Sequence, residues 1–485
     1  MSQENLKGKT ISNFSWKLME QILSQGVSIL VSIVLARILL PEDYGVVTVV
    51  LIFINICDVF IQQGFASTLI QRKEVDQKDL SSMFYASLVI SMILYLILFF
   101  SAPYIQRFFG SGYDSLSAIL RVMGLQIPFS AFKAIQQAIV SRELIFKKFF
   151  FATLGGKLVS GAIGIIMAIK GLGAWALAGQ SLSCVVVDTL ILTLIVSWHP
   201  IWYFSWTRVK PMLVFGANLV AAGLVDTIYN KLRSFVIGNK YSPADLGYYD
   251  QGDKFPALMM VTINSSLNTV LFPVLSKLQG GTKEMMQACR RSIKTSTFIL
   301  FPFLAILALV SNDLIPLLLT DKWQPSIIYA QIFCAIYSFY PIYGINLQAI
   351  KAIGKGKEFF ILEFSKKISG IACLIIGIPY GVMGIAISLL ISTIINYFIN
   401  GCAARIVLKY SWKNQILDIL PNVIANIVMI ITVALLPRFA SHFINIVYLT
   451  VVAISVYTLV CLAIKNENLK YLNSIITDVI KKNKK

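Results

Sequence analysis

Pro41-Glu-Asp-Tyr-Gly45 and Pro243-Ala-Asp-Leu-Gly247 spell one motif twice, 202 residues apart, and each copy follows a long apolar run. Three further pairs keep the same order at similar offsets. Gln137-Ala-Ile139 returns as Gln348-Ala-Ile350, Lys157-Leu-Val-Ser-Gly161 as Lys366-Lys-Ile-Ser-Gly370, and Gly171-Leu-Gly-Ala-Trp-Ala-Leu177 as Gly381-Val-Met-Gly-Ile-Ala-Ile387. Four ordered echoes point to two homologous halves. In a membrane protein, that arrangement is the usual ground plan of a transporter, whose halves alternate about a site held between them.

Composition places the chain in a membrane. Its 485 residues are 57% hydrophobic and 13% charged, with mean hydropathy +0.75, whereas a soluble domain carries about 25% charged residues. Fourteen segments are long enough to span a bilayer at about 20 residues each. They cover roughly 16–40, 44–64, 80–103, 115–140, 149–169, 172–198, 211–238, 247–275, 295–318, 325–350, 358–378, 381–404, 416–437 and 443–464. The first is too long for a signal-peptide core and no small-residue cleavage site follows it, so it reads as a retained helix. The repeats divide the chain into a six-helix lobe over 1–205, a second over 206–410, two added helices over 411–465 and a basic tail over 466–485. The expected fold class is therefore an all-α polytopic membrane protein with two pseudo-symmetric lobes.

The charge pattern sets the orientation. With the N-terminus inside, 28 of the 42 Lys and Arg fall in inner loops and tails and 6 in outer ones. The positive-inside rule then puts both termini in the cytoplasm. Basic residues spread over many short loops face anionic lipid and make nucleic-acid binding a poor reading of the net charge of +19. In the tail, Leu472, Ile475, Ile476, Val479 and Ile480 at helical spacing suit an amphipathic helix on the membrane face, with a frayed basic tail as the alternative. Several chemistries are excluded. Two histidines and seven scattered cysteines form no metal pattern, and Gly354-Lys-Gly-Lys357 lacks the spacing and hydroxyl of a nucleotide-binding loop.

Eight cations remain inside the apolar segments: Arg121, Lys133, Lys157, Lys231, Arg233, Lys254, Lys366 and Lys367. A charge at a helix centre costs at least ~2.5–3.5 kcal/mol, so such residues face protein or water. Lys157 and Lys366 occupy equivalent places in the two halves, about 12 Å deep at 1.5 Å per residue. Asp226, Tyr229, Asn230 and Arg233 share one helix face, as do Asp250, Asp253 and Lys254. Two readings stand side by side. Arg233, Lys254, Lys157 and Lys366 line a hydrated cavity and hold an anionic head group at successive depths. Alternatively, lysines near the interface snorkel and Asp–Lys pairs bridge helices. Asp226, Asp253 and Asp58 are candidates for coupling to a proton or Na⁺ gradient, with helix packing as the alternative. No other cofactor is implied.

Four stretches carry a family resemblance. Leu35-Ala-Arg-Ile-Leu-Leu-Pro-Glu-Asp-Tyr-Gly45, Gln63-Gly-Phe-Ala-Ser-Thr-Leu-Ile-Gln-Arg-Lys73, Gln137-Ala-Ile-Val-Ser-Arg-Glu-Leu-Ile-Phe-Lys147 and Leu246-Gly-Tyr-Tyr-Asp-Gln-Gly-Asp-Lys-Phe-Pro256 resemble the polysaccharide-transporter branch of the Wzx-type flippases. These belong to a superfamily shared with MATE exporters and lipid II flippases. The resemblance spans about residues 10–405 and implies a fourteen-helix, two-lobed fold. It also implies passage of a polyprenyl-pyrophosphate-linked oligosaccharide across a bacterial inner membrane, with glycosyltransferases and a glycan polymerase as neighbours. Arg37 and Pro41 belong to the first motif, where turn and interface geometry is the expected role. Two rivals are weaker. A MATE-like exporter of organic cations calls for an acidic cavity. A membrane glycosyltransferase or polymerase calls for acidic catalytic pairs and a sizeable outer loop, and the outer loops here are about a dozen residues long.

Overall fold

The computed structural model describes residues 3–143, 145–266, 271–278 and 281–469. Among them every regular element is helical. The chain forms two compact units, Met1–Gly247 and Tyr248–Lys485. The first therefore takes in helix 206–240, which the repeats assign to the second half.

The first unit comprises α1 (Gln3–Ile38), α2 (Pro41–Ile61), a π-helical turn (Gln62–Ala66) running straight into α3 (Ser67–Gln71), α4 (Gln77–Phe109), α5 (Leu116–Gly124), α6 (Gln126–Glu143), α7 (Phe146–Ile169), α8 (Ala174–Ile195) and α9 (Trp206–Lys240). A further helix, α10 (Pro243–Ser266), begins at its end. Helix α7 packs between α8 and α1, and α9 lies along α2, the π turn and α4.

The P-x-D-φ-G motif explains itself here. It begins a helix in both copies and is not the turn expected from sequence. The link from α9 to α10 is only Tyr241 and Ser242. Proline stands at the first helical position, where its missing N–H is no loss. The Asp three residues past the cap turns back onto it. Asp43 accepts from the Leu40 N–H at 2.9 Å, and Asp245 accepts from the Ser242 N–H at 3.2 Å and the Ser242 hydroxyl at 2.7 Å. Each thus satisfies an otherwise orphaned backbone donor. The closing glycine allows backbone contact: a Cβ on Gly45 would meet the Pro243 carbonyl oxygen at 1.9 Å, and one on Gly247 the Pro41 carbonyl oxygen at 2.1 Å.

At the other end of this unit the Gln63–Lys73 and Gln137–Lys147 motifs meet. The Arg142 guanidinium donates to the carbonyls of Leu69 (2.7 Å) and Lys73 (3.1 Å), capping the end of α3. Arg208 bridges Asp76 at 2.7 Å and Asp79 at 2.9 Å, tying the start of α9 to that of α4. Arg142, from the second of these motifs, thus finishes a helix end contributed by the first.

The second unit comprises most of α10, α11 (Phe272–Lys277), α12 (Thr282–Leu319), α13 (Ser326–Ser338), α14 (Tyr340–Ala352), α15 (Gly356–Gly377), α16 (Gly381–Leu408), α17 (Trp412–Ala434) and α18 (His442–Ala463). Gly381 opens α16 at φ +77°, as Gly171 with φ +74° precedes α8, so one repeat pair marks turns that need a positive φ. The two added helices dock on α12 through buried carboxylates. Asp418 accepts two hydrogen bonds of 2.7 Å from Arg290 and one of 2.8 Å from the Tyr410 hydroxyl. Asp313 meets Arg438 (3.2 Å), His442 Nδ1 (2.8 Å) and the Asn445 amide (2.9 Å).

Twelve helical stretches among the described residues are long and apolar enough to cross a membrane. One, Glu358–Leu408, is 51 residues long and contains both α15 and α16, which pack on each other across a short 3₁₀ break. Helix α10, counted as a span from sequence, falls outside the twelve, since it carries Asp245, Asp250, Asp253 and Lys254. The count of fourteen thus depends on dividing one stretch and admitting one polar helix. Large apolar side chains such as Ile97, Phe100, Leu194 and Ile406 stand on the outside, as lipid contact requires, and the chain is a multi-pass membrane protein. The amphipathic segment expected in the tail lies, from residue 470 onward, outside the described residues.

Candidate functional site

In the first unit, α2 and α9 carry facing polar stripes. Asn55, Asp58 and Gln62 recur at helical spacing on α2 and its π turn, and Thr227, Asn230 and Lys231 do so on α9. Together with Val59 and Gln63 they line an open cavity of about 310 Å³. The side chains of Asn55, Gln62, Thr227, Asn230 and Lys231 have no partner among the described residues. The Ser130 hydroxyl lies beside the Asp58 carboxyl, and the buried Asp58 Oδ1 has no hydrogen-bond partner among the described residues. The π turn widens the local helix, and such turns recur at functional sites.

Further along the same pair of helices the backbones close up. A Cβ on Gly216 would meet the Gly64 carbonyl oxygen at 2.6 Å and the Thr68 hydroxyl at 3.0 Å. Beyond this crossing a second cavity of about 340 Å³ is lined by Thr68, Gln71, Arg72, Pro211, Met212 and Phe215.

The cations expected at the site fall into different surroundings. Arg233 is buried, with its guanidinium over the Tyr229 ring at 5.6 Å. Lys157 is half-buried and its ammonium makes no hydrogen bond or salt bridge among the described residues, although it lies in the field of Asp188. Asp188 is buried and paired at 2.7 Å with Lys133, and a Cβ on Gly156 would strike its Oδ1. In the second unit Lys254 is half-buried beside Asp250. Lys366 forms an ion pair with Glu363, one turn earlier on α15, so its charge is already matched.

Of the three acids, Asp58 lines the cavity and Asp226 is exposed on α9. Asp253 accepts from the Tyr337 hydroxyl, which ties α10 to α13. Sequence reasoning named Asp58 and Asn230 but passed over Asn55, Gln62, Gln63 and Thr227. The polar stripe on α2 was the signal that could have found them. It likewise passed over Asp418, although Gln415, Asp418 and Asn422 form such a stripe on α17.

A family model described as "Polysaccharide biosynthesis protein" matches residues 34–328. The lipopolysaccharide biosynthesis protein WzxC of Escherichia coli is 24% identical over 427 residues, 86% of this chain and 85% of that protein. The succinoglycan biosynthesis transport protein ExoT of Rhizobium meliloti is 23% identical, covering 66% of this chain and 64% of its own. Among solved structures, the lipid II flippase MurJ in an inward closed conformation superposes with a TM-score of 0.74 at 19% identity, covering 96% of this chain and 100% of its own. An inward-facing MATE-family multidrug resistance transporter follows with 0.64 at 16% identity, over 80% and 94%. At these identities the structural likeness speaks for the fold. The family model spans well over half of the sequence, and the chain belongs to the polysaccharide biosynthesis protein family, with a fold like those of MurJ and the MATE transporters.

Proposed function

We propose that this protein is a flippase, not an enzyme. It moves a polyprenyl-pyrophosphate-linked oligosaccharide repeat unit from the cytoplasmic to the outer leaflet of a bacterial inner membrane, for exopolysaccharide, capsule or O-antigen synthesis. Both termini lie in the cytoplasm. The observation that carries the reading is the set of membrane-embedded polar groups that have no partner among the described residues, Lys157 and Lys231 among the cations, in a chain of this family. Such groups require water or a polar cargo.

The mechanism follows from the cargo's two natures. The polyprenyl tail stays in lipid, while the charged, sugar-bearing head must cross ~30 Å of hydrocarbon. Fixed cations in a hydrated path lower that desolvation cost, and alternation between inward and outward states carries the head from one side to the other. Arg233, Lys254, Lys157 and Lys366 are assigned to the pyrophosphate. The pairing of Lys366 with Glu363 makes it the weakest of the four. Several modest contacts serve transport better than one tight site, since the cargo has to leave. Asp58, Asp226 and Asp253 are the proposed points of coupling to H⁺ or Na⁺. Membrane lipids surround the protein, and glycosyltransferases and a polymerase supply and consume its cargo.

The test is glycan export, read beside membrane abundance, in single variants. Arg233→Gln and Lys254→Gln should lower export at normal abundance, and Arg233→Glu and Lys254→Glu should lower it further. Full export by both Glu variants at normal abundance would overturn the assignment of the pyrophosphate site.

A further inference from the structure

The cavity between α2 and α9 has a chemistry of its own. Its lining holds four primary amides, Asn55, Gln62, Gln63 and Asn230, with the Thr227 hydroxyl, one carboxylate and one ammonium. The Asp58 and Lys231 charges offset each other when both are ionised, so the cavity offers an anion little net attraction, and Asp58 opposes one directly. A pyrophosphate site calls for the reverse, an excess of cations.

The lining instead mixes donors and acceptors. Each amide supplies an acceptor oxygen and two donor hydrogens, and the hydroxyl supplies one of each. Sugar hydroxyls are likewise donor and acceptor at once. Among the described residues, Ser67 is the one protein group bonded to this amide set, at 3.3 Å from Gln63 Oε1. Asp58 Oδ1 is a buried acceptor with no donor among the described residues. A volume of about 310 Å³ lies at the small end of ligand pockets (~300–1,000 Å³) and suits a sugar unit better than a whole repeat unit.

We infer that this cavity is a saccharide subsite. It binds a sugar unit of the lipid-linked cargo through its hydroxyls, separately from the cations that hold the pyrophosphate. The inference rests on the flippase reading and deepens it. Asn55, Gln62 and Asn230 hydrogen-bond the ring hydroxyls, and Asp58 Oδ1 accepts from one of them. The site therefore contributes selectivity for the glycan, while the pyrophosphate contributes affinity common to every cargo.

Two ligands test it on the purified full-length protein in lipid nanodiscs. One is the polyprenyl pyrophosphate bearing the repeat unit, extracted from the bacterium that encodes the protein, and the other is the same polyprenyl pyrophosphate without sugar. The wild type should bind the glycosylated ligand more tightly. Gln62→Leu and Asn230→Leu should each weaken glycosylated binding by roughly 5–10-fold and change sugar-free binding by less than about twofold, with unchanged melting temperature. Asn230→Gln, which keeps the amide, should recover part of the loss and guards against a folding artefact. Equal losses for both ligands, or none for either, would overturn the subsite. Equal wild-type binding of the two ligands would also overturn it while leaving the flippase reading in place. Wild-type binding of neither would remove the flippase reading and the subsite with it.

Discussion

The carbonyl oxygen of Pro243 stands 1.9 Å from where a Cβ on Gly45 would lie, and the contact is returned by Pro41 on Gly247 at 2.1 Å. Two copies of one motif thus clasp each other, helix start against helix start. Neither glycine is needed for a positive φ; each is needed because the neighbour is backbone and cannot swing away.

Gly45→Ala and Gly247→Ala should therefore each destabilise the protein by about 1–3 kcal/mol through overpacking. Because they act on one contact, the double variant should lose less than the sum. Thermal unfolding of the purified protein measures this. Wild-type melting temperatures in both single variants would contradict the clasp.

Asp418 and Asp313 are placed here as anchors of the added helices. Asp418→Ala leaves the Arg290 guanidinium and Tyr410 hydroxyl without their acceptor, a loss of about 1–3 kcal/mol. Membrane abundance should fall while export per molecule stays near wild type. Normal abundance with lost export would instead assign Asp418 to transport.

Lys157 and Lys366 sit at matching places in the repeats but should respond differently. Lys157→Gln removes an ammonium that bonds to no described residue, so abundance should hold while export falls severalfold. Lys366→Gln strands the Glu363 carboxylate, so abundance should fall, and Glu363→Gln in the same chain should restore it. Abundance and export together, in the three variants, separate the two roles. Equal behaviour of Lys157→Gln and Lys366→Gln would contradict the distinction.

Acid should loosen the first unit partly through Asp76. The Asp79 backbone N–H, and then Arg208, hold its carboxyl below the usual carboxylate range. A depressed folded pKa means that the stabilisation is complete above the ordinary carboxylate pKa of ~3.9 and is lost as pH falls through the lower folded value. Asp76→Asn should flatten the decline of melting temperature with pH in that window and leave its slope above pH 6 unchanged. An identical acid profile in the variant would rule the group out.

The orientation rests on loop charge. Reporter fusions at Gly112 and Gly280 should lie on opposite sides, outside and inside. The same side for both would end the proposed topology.

Hydrophobic length and the spread of cations were enough to reveal a membrane protein built of helices, because a bilayer demands apolar runs and satisfied backbones wherever the chain enters it. Repeats pointed to two related halves, and the four motif stretches pointed to the family. What a motif does was not legible in one dimension. Pro41–Gly45 read as a turn, since proline and glycine punctuate turns; only the second copy lying against it shows why a helix start needs that glycine. Charges were visible as charges, yet for several of them the matching partner lies far along the chain. Lys133 meets Asp188 at 55 residues' separation, and Arg290 meets Asp418 at 128. The polar stripes of α2 and α9 each look like ordinary helix-packing residues. Tertiary structure alone decided that they face one another across an open cavity, because whether a buried amide is a packing bond or a binding group depends on the atoms opposite it.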